Sequence, residues 1–327
     1  MNRWIAAAAL IALPFPAPAQ DGPSLGLPID CTLGETCFVQ QYPDMDGGPA
    51  SADPFCGIAT YDGHKGTDIR IRYMTDMAKD VPVLAAAGGT VLRLRDGVAD
   101  RAIRDDADRK RVANLECGNG VVIGHGGGWE TQYCHLKQGS IAVREGQQVR
   151  KGEKLGAVGA SGLAQFPHVH ISVRKDGKDV DPFSGKPVGT GCDAEAAATM
   201  SLWDPALHGA LSAPPLQLLD AGFASGPVDG GTLLDSPPPA LNAGAGAYVG
   251  WANLINLRKG DRITVTLLPP GGEPLRNAAD PLDRNKATYM LFAGKRGTPP
   301  PGAYHLRVEV LRDGKPVLSE TREMTLR

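Results

Sequence analysis

Short apolar runs broken by glycine and aspartate turns recur along the chain, and few show the three-to-four-residue spacing of a helix. Residues 81–84, 90–94, 120–123, 129–136 and 169–174 read as short strands, punctuated by Gly88-Gly89, Gly126-Gly127-Gly128 and Asp176-Gly177. A second set begins near Leu216 and includes 262–267, 287–292 and 304–310. The last of these joins 317–324 across Asp313-Gly314. Its spacing predicts a small immunoglobulin-like β-sandwich. Between the two sets, residues 194–200 carry the pattern of a short helix, and Ser212-Ala213-Pro214-Pro215 reads as a linker. The fold class expected is mainly β.

The first residues have a different pattern. Arg3 precedes an apolar stretch at 5–13, and Ala17-Pro18-Ala19 follows as a small-residue cleavage site. This reads as an export signal over residues 1–19, too short to span a bilayer, with no later integral membrane segment. Export to the periplasm or cell envelope is the implied localisation. The chain has 327 residues, which at about 150 per domain suggests two domains. The expected division is a signal peptide at 1–19, an N-terminal extension at 20–55, a first domain at 56–192, a linker at 193–215 and the sandwich at 216–327. With 34 basic and 36 acidic residues, the formal charge of −2 gives no sign of a nucleic-acid partner.

Six cysteines in an exported chain are expected to form three disulfides. Cys117 and Cys134 flank the triple-glycine turn on neighbouring strands. Cys31 and Cys37 suit a small closed loop, which leaves Cys56 and Cys192 as the third pair. The rival use of cysteine, zinc ligation, lacks a CxxC pair.

The candidate chemistry lies in histidines. His64-Lys65-Gly66-Thr67-Asp68 and Pro167-His168-Val169-His170 offer imidazoles and a carboxylate, and on a strand His168 and His170 point the same way. Two histidines, one aspartate and one open position suit a catalytic zinc, which acidifies water to a pKa of about 7 and polarises carbonyls. A further imidazole, His135, occurs in Gln132-Tyr133-Cys134-His135-Leu136, where alternation places Tyr133 and His135 on one face. An imidazole there would act as general base or donate to an oxyanion. His208 and His305 stand apart, and His125 before its turn reads as structural.

HxGxD, YxHL and HxH in this order resemble the lysostaphin/LytM-type zinc metalloendopeptidases, which cut peptides of bacterial peptidoglycan. The resemblance runs from about Gly63 to Phe183. It implies an antiparallel β-sheet groove binding one zinc ion, with His64, Asp68 and His170 as ligands and His135 and His168 as catalytic imidazoles. It also implies peptidoglycan peptides as substrate. Its alternative is a non-catalytic peptidoglycan-binding or hydrolase-activating module, as in family members that have lost ligands. The C-terminal sandwich is expected to bind wall or partner, or to brace the peptidase.

Four departures or additions carry their own expectations. Ser161-Gly162-Leu163-Ala164-Gln165-Phe166 lengthens the run before HxH and predicts a longer lip on the groove. Ile171-Ser172-Val173-Arg174 replaces the usual Phe-Glu-Val-Arg, changing what surrounds the ligands rather than the ligands. The charged insertion 96–116 is expected to be a solvated loop, with shaping of substrate access as its alternative. Residues 21–54 are placed to enter the groove, and Asp44, Asp46 and Asp53 are expected to be exposed loop acids rather than inhibitory carboxylates.

Overall fold

The computed structural model describes residues 22–212 and 216–327; the expected export signal at 1–19 and Ala213-Pro214-Pro215 of the expected linker lie outside them. In chain order the first unit contains β1 (Phe38–Gln41), β2 (Thr67–Arg70), β3 (Pro82–Leu84), β4 (Gly89–Arg95), α1 (Asp106–Arg111), β5 (Asn119–Gly126) and β6 (Trp129–Leu136). It continues with β7 (Gln148–Val149), β8 (Lys154–Ala157), β9 (His168–Lys175), β10 (Lys178–Val180), α2 (Ala194–Thr199) and α3 (Pro205–Leu211).

One antiparallel sheet runs β1-β2-β9-β6-β5-β4-β7, with β10 also on β9, while β3 and β8 pair separately. Register sorts its faces. Asp68 lies opposite His170, Arg70 opposite His168, Cys134 opposite His170, and Gln132 opposite Ser172. Because side chains alternate, these residues share one face. The intervening Ile69, Val169, Ile171, Val173 and Tyr133 enter the core on the other, packed against Val83 and Leu155 of the β3–β8 pair. Leu25, Ile29, Ala197 and Trp203 close that core from outside the sheet.

Two expectations about organisation change. The stretch upstream of residue 56 is not a separate extension, because its β1 extends the sheet at β2 and Leu25 bridges to Trp203. The 193–215 linker contains both α2 and α3, and His208 on α3 bonds the Ala197 carbonyl. A linker reading followed the prolines; the apolar faces that bury Ala197 and Leu211 override it.

The second unit comprises β11 (Gln217–Ala224), β12 (Ala247–Leu257), β13 (Arg262–Leu268), β14 (Leu275–Ala278), β15 (Lys286–Arg296), β16 (Gly302–Arg312) and β17 (Lys315–Leu326). Its sheets are β11-β12-β15 and β14-β13-β16-β17. They share an apolar cluster that includes Leu254, Ile263, Val265, Leu306 and Val308. All eleven residues of β12 are buried, so no alternation marks it in sequence.

This unit docks on the β1–β2 edge. Phe38, Leu219 and Ile255 form one buried cluster, Arg72 Nε donates to the Leu219 carbonyl at 2.8 Å, and Asn256 Nδ2 donates to the Gln40 carbonyl at 2.9 Å. Tyr73 bonds Asp220, and Arg104 of the charged insertion pairs with Asp235.

Candidate functional site

The loop before β2 is built to hold His64. Asp44 and Asp53 are buried, contrary to the expectation of exposed acids. Asp44 accepts from the backbone N–H groups of Asp46, Ala52 and Gly63, and Asp53 from those of Phe55, Gly57 and Ala59. Short acidic side chains satisfy turn amides in this way, so they serve the loop rather than the groove. His64 Nδ1 then donates to the Tyr42 carbonyl at 2.7 Å, which leaves Nε2 unprotonated in the neutral ring.

His64 Nε2, Asp68 Oδ1 and His170 Nδ1 converge, with separations of 3.2 Å from His64 to either partner and 2.8 Å between Asp68 and His170. His170 Nε2 meets Ser172 Oγ at 2.9 Å. With that nitrogen as the donor, its Nδ1 lone pair also faces inward. Three lone-pair atoms pointing at one another repel unless a cation lies between them. Burial opposes a proton on His64, but Asp68 and the Tyr42 carbonyl raise its pKa. Burial would likewise raise Asp68, yet His64 and His168 hold it well below the usual carboxylate range. These ligand atoms all lie within 4.8 Å of one another, and their N, N and O chemistry fits a divalent zinc.

The other two imidazoles stand beside this cluster. His168 Nε2 is 3.6 Å from Asp68 Oδ1, and its Nδ1 meets the Phe166 carbonyl at 2.8 Å. His135 Nδ1 meets the Ser161 carbonyl at 2.8 Å, and its ring centroid is 4.6 Å from that of His168. Each carbonyl accepts the Nδ1 proton and turns an unprotonated Nε2 towards the groove. Burial pushes both imidazole pKa values down, and His168 and His170 push His135 down further. Both rings are therefore neutral near pH 7.

His135 reaches the groove by breaking the strand rule. Tyr133 is fully buried in the core, where its hydroxyl accepts from the Ala86 N–H and from Thr131. Strict alternation would send His135 after it. Instead His135 has φ of 63°, a left-handed backbone that turns the ring to the opposite face. The expectation that Tyr133 and His135 share a face is corrected accordingly. His125 bonds the Gly88 carbonyl and Thr131, away from the cluster.

A cavity of about 360 Å³ opens over the cluster, lined by Asp68, His135, His168 and His170 together with Gln41, Tyr61, Arg109, Leu163, Gln165 and Phe166. A larger one, of about 1050 Å³, lies around Trp129, Lys178 and Trp203, away from these histidines. The lengthened 161–166 run does form one lip through Leu163, Gln165 and Phe166, and it also supplies the two carbonyls that orient His135 and His168. Arg70 underlies that lip: fully buried, it donates to Gln40 and to the Ile71 and Arg72 carbonyls, with its guanidinium 4.3 Å from the Phe166 ring centroid. Burial lowers its pKa to about 9.

The opposite lip comes from the charged insertion. It is not a wholly solvated loop: Ala102, Ile103 and Val112 are buried, and Asp105 caps α1 by accepting from the Asp108 N–H. Arg109 on α1 thereby reaches the cavity. Tyr61 stacks on the His64 ring with centroids 4.6 Å apart. Burial and Asp68 push its phenol pKa up, and Arg109 pulls it down. Tyr42 and Tyr61 had no motif to mark them, whereas Ser161, Ser172 and Arg109 stood in segments to which the sequence had drawn attention without assigning them a role.

All six cysteines are bonded, as Cys31–Cys37, Cys56–Cys192 and Cys117–Cys134. The last lies beside the cluster, since Cys134 is opposite His170.

Comparison with known proteins covers the same part of the chain. Residues 62–182 match the model of peptidase family M23. An uncharacterized metalloprotease of Haemophilus influenzae is 31% identical over 129 residues, covering 39% of this chain and 22% of that protein. The peptidoglycan DD-endopeptidase ShyA of Vibrio cholerae is 39% identical over 118 residues, covering 36% of this chain and 22% of that protein. The matches thus span less than a quarter of these relatives. Among solved structures, the catalytic domain of lysostaphin from Staphylococcus simulans aligns at 20% identity and a TM-score of 0.28, covering 43% of this chain and 86% of that one. Residues 62–182, the part of the chain that matches the model of peptidase family M23, hold the whole histidine and aspartate cluster.

Proposed function

We propose that this protein is an exported zinc metalloendopeptidase that hydrolyses peptide bonds in bacterial peptidoglycan. The observation that carries the reading is the convergence of His64 Nε2, Asp68 Oδ1 and His170 Nδ1 below a groove flanked by two neutral imidazoles. His64, Asp68 and His170 are the ligands in this proposal. The chemistry supplied by zinc held there is Lewis acidity towards a peptide carbonyl and acidification of water to near neutrality.

The remaining work falls to this chain's own residues. His135 and His168 face the groove with Nε2 atoms free to accept a proton. One of them takes the proton of the attacking water and returns it to the departing amine. The Ser161 and Phe166 carbonyls keep each ring in the required tautomer. Ser172 orients His170 in the same manner, where the family pattern more often has glutamate. The second unit, docked beside the groove, is proposed as an immunoglobulin-like brace with a wall or protein partner.

The test combines zinc content of the purified protein with mass spectrometry of peptides released from isolated peptidoglycan. His170→Ala should lose both metal and cleavage; His135→Ala should keep the metal and lose cleavage. Stoichiometric zinc with no release from any wall type would favour the non-catalytic module. Loss of zinc from His135→Ala would show that ligand and catalytic imidazole are exchanged.

A further inference from the structure

The wall of the groove formed by the charged insertion contains four arginines with different fates. Arg101 and Arg111 pair with Asp108, and Arg104 pairs with Asp235 of the second unit. Arg109 has no carboxylate partner among the described residues, and it is the one that lines the cavity with Asp68, His135 and His168. Its surroundings there are Tyr61, Gln41, Gln165 and Leu163. These are neutral, and Asp68 is the only carboxylate among the described residues of that lining. Asp68, the carboxylate deeper in the cavity, is already engaged by His64 and His170.

The helix carrying Arg109 is tied down on its N-terminal side. Asp108, the neighbouring residue, is buried, accepts from the Arg104 N–H at 3.0 Å, and holds Arg101 and Arg111. Arg104 ties the same segment to Asp235 and to the Gly231 carbonyl. An unpaired guanidinium is thus presented on a braced support at one side of a peptide-sized groove. Guanidinium prefers a planar anion that accepts two parallel N–H bonds, and the anion a peptide offers is a carboxylate.

We propose that Arg109 determines specificity by binding a free carboxylate of the substrate peptide near the bond to be cut. The substrate class is then an acidic peptide, a stem peptide whose carboxyl groups are not amidated, rather than a neutral glycine bridge. This rests on the proposed hydrolytic reading of the same site. Arg109 is a binding residue here and takes no part in proton transfer.

The probes are a cross-linked stem-peptide dimer with free carboxylates and the same dimer after conversion of those groups to carboxamides. The zinc-loaded wild-type protein should cleave the acid form with a kcat/KM roughly fivefold higher, the scale of an exposed charge pair. Arg109→Gln should bring that ratio to about one, mainly through KM, and Arg109→Lys should restore part of it. A ratio unchanged by Arg109→Gln, or equal losses on both forms, would overturn the proposal, because a purely structural role lowers both alike. Binding of the two dimers to zinc-loaded His135→Ala, followed by calorimetry, separates the two readings. Acid-selective binding without cleavage by the wild-type protein would retain the carboxylate site and sink the hydrolytic reading. Equal binding of both forms would sink the carboxylate site.

Discussion

Gly66, the middle residue of HxGxD, offers a direct test of how tightly the proposed ligand set is packed. A methyl group placed on it would lie 2.5 Å from His170 Nε2, 2.7 Å from His170 Cε1 and 2.5 Å from the Ile171 carbonyl oxygen. Its φ is not in the left-handed region, so alanine suffers no backbone strain and the effect is steric alone. To recover an ordinary contact of 3.4 Å, the His170 ring must retreat by about 0.9 Å. The Ile171 carbonyl is held in the β2–β9 register opposite Thr67, so relieving its clash strains that pairing, and the ring must move as well. Moving it breaks the 2.9 Å contact with Ser172 and carries Nδ1 away from Asp68.

We expect Gly66→Ala to cost about 1–3 kcal/mol in stability, as overpacking does. Zinc affinity should fall about 10–100-fold, the scale on which lost orientation of a ligand is felt. Zinc titration against a chromophoric chelator, paired with denaturant unfolding, reads both quantities. Gly63→Ala is the control: Gly63 has φ of 76° and nothing within 4 Å of the added methyl. It should lose about 1–2 kcal/mol of stability through left-handed strain while keeping its zinc affinity far better than Gly66→Ala. Wild-type affinity in Gly66→Ala would refute the steric argument.

The remaining predictions concern the fold around the groove. By loop entropy, the Cys56–Cys192 bond, with a separation of 136 residues, should contribute about 5 kcal/mol, and Cys31–Cys37, with a separation of 6, about 2 kcal/mol; unfolding of the paired serine variants checks the order. Asp181 is buried, which raises its pKa from 3.8 to about 6. The folded state therefore binds its proton more tightly than the unfolded one, and its share of stability is greatest below pH 3.8 and falls as pH rises to 6. The full change is about 3 kcal/mol. Asp181→Asn should flatten that part of the stability profile, and an unaltered slope between pH 4 and 6 would refute it.

The family motifs needed no coordinates, because each is local: HxH on one strand fixes two rings to one face, and HxGxD sets a ligand pair four residues apart. The strands of the first unit were legible for the same reason, since glycine turns and apolar runs are properties of neighbours in sequence. What escaped depended on distant partners. Strand β1 was hidden in a proline-rich segment and is defined by its pairing with β2. The fully buried β12 lacked the alternation that a one-sided strand displays.

At the site, the sequence by itself singled out the side chains proposed to supply the chemistry: two imidazoles and a carboxylate for a metal, and two further imidazoles beside them. Tertiary structure decided how each is aimed. A positive φ sends His135 to the face that alternation denied it, and carbonyls from Tyr42, Ser161 and Phe166 choose which nitrogen of each ring is free. Helix α1 brings Arg109 to a groove whose proposed ligands lie both before and after it in the chain. Side-chain identity is written residue by residue, whereas orientation is set by hydrogen-bond partners and packing that only the folded chain brings together.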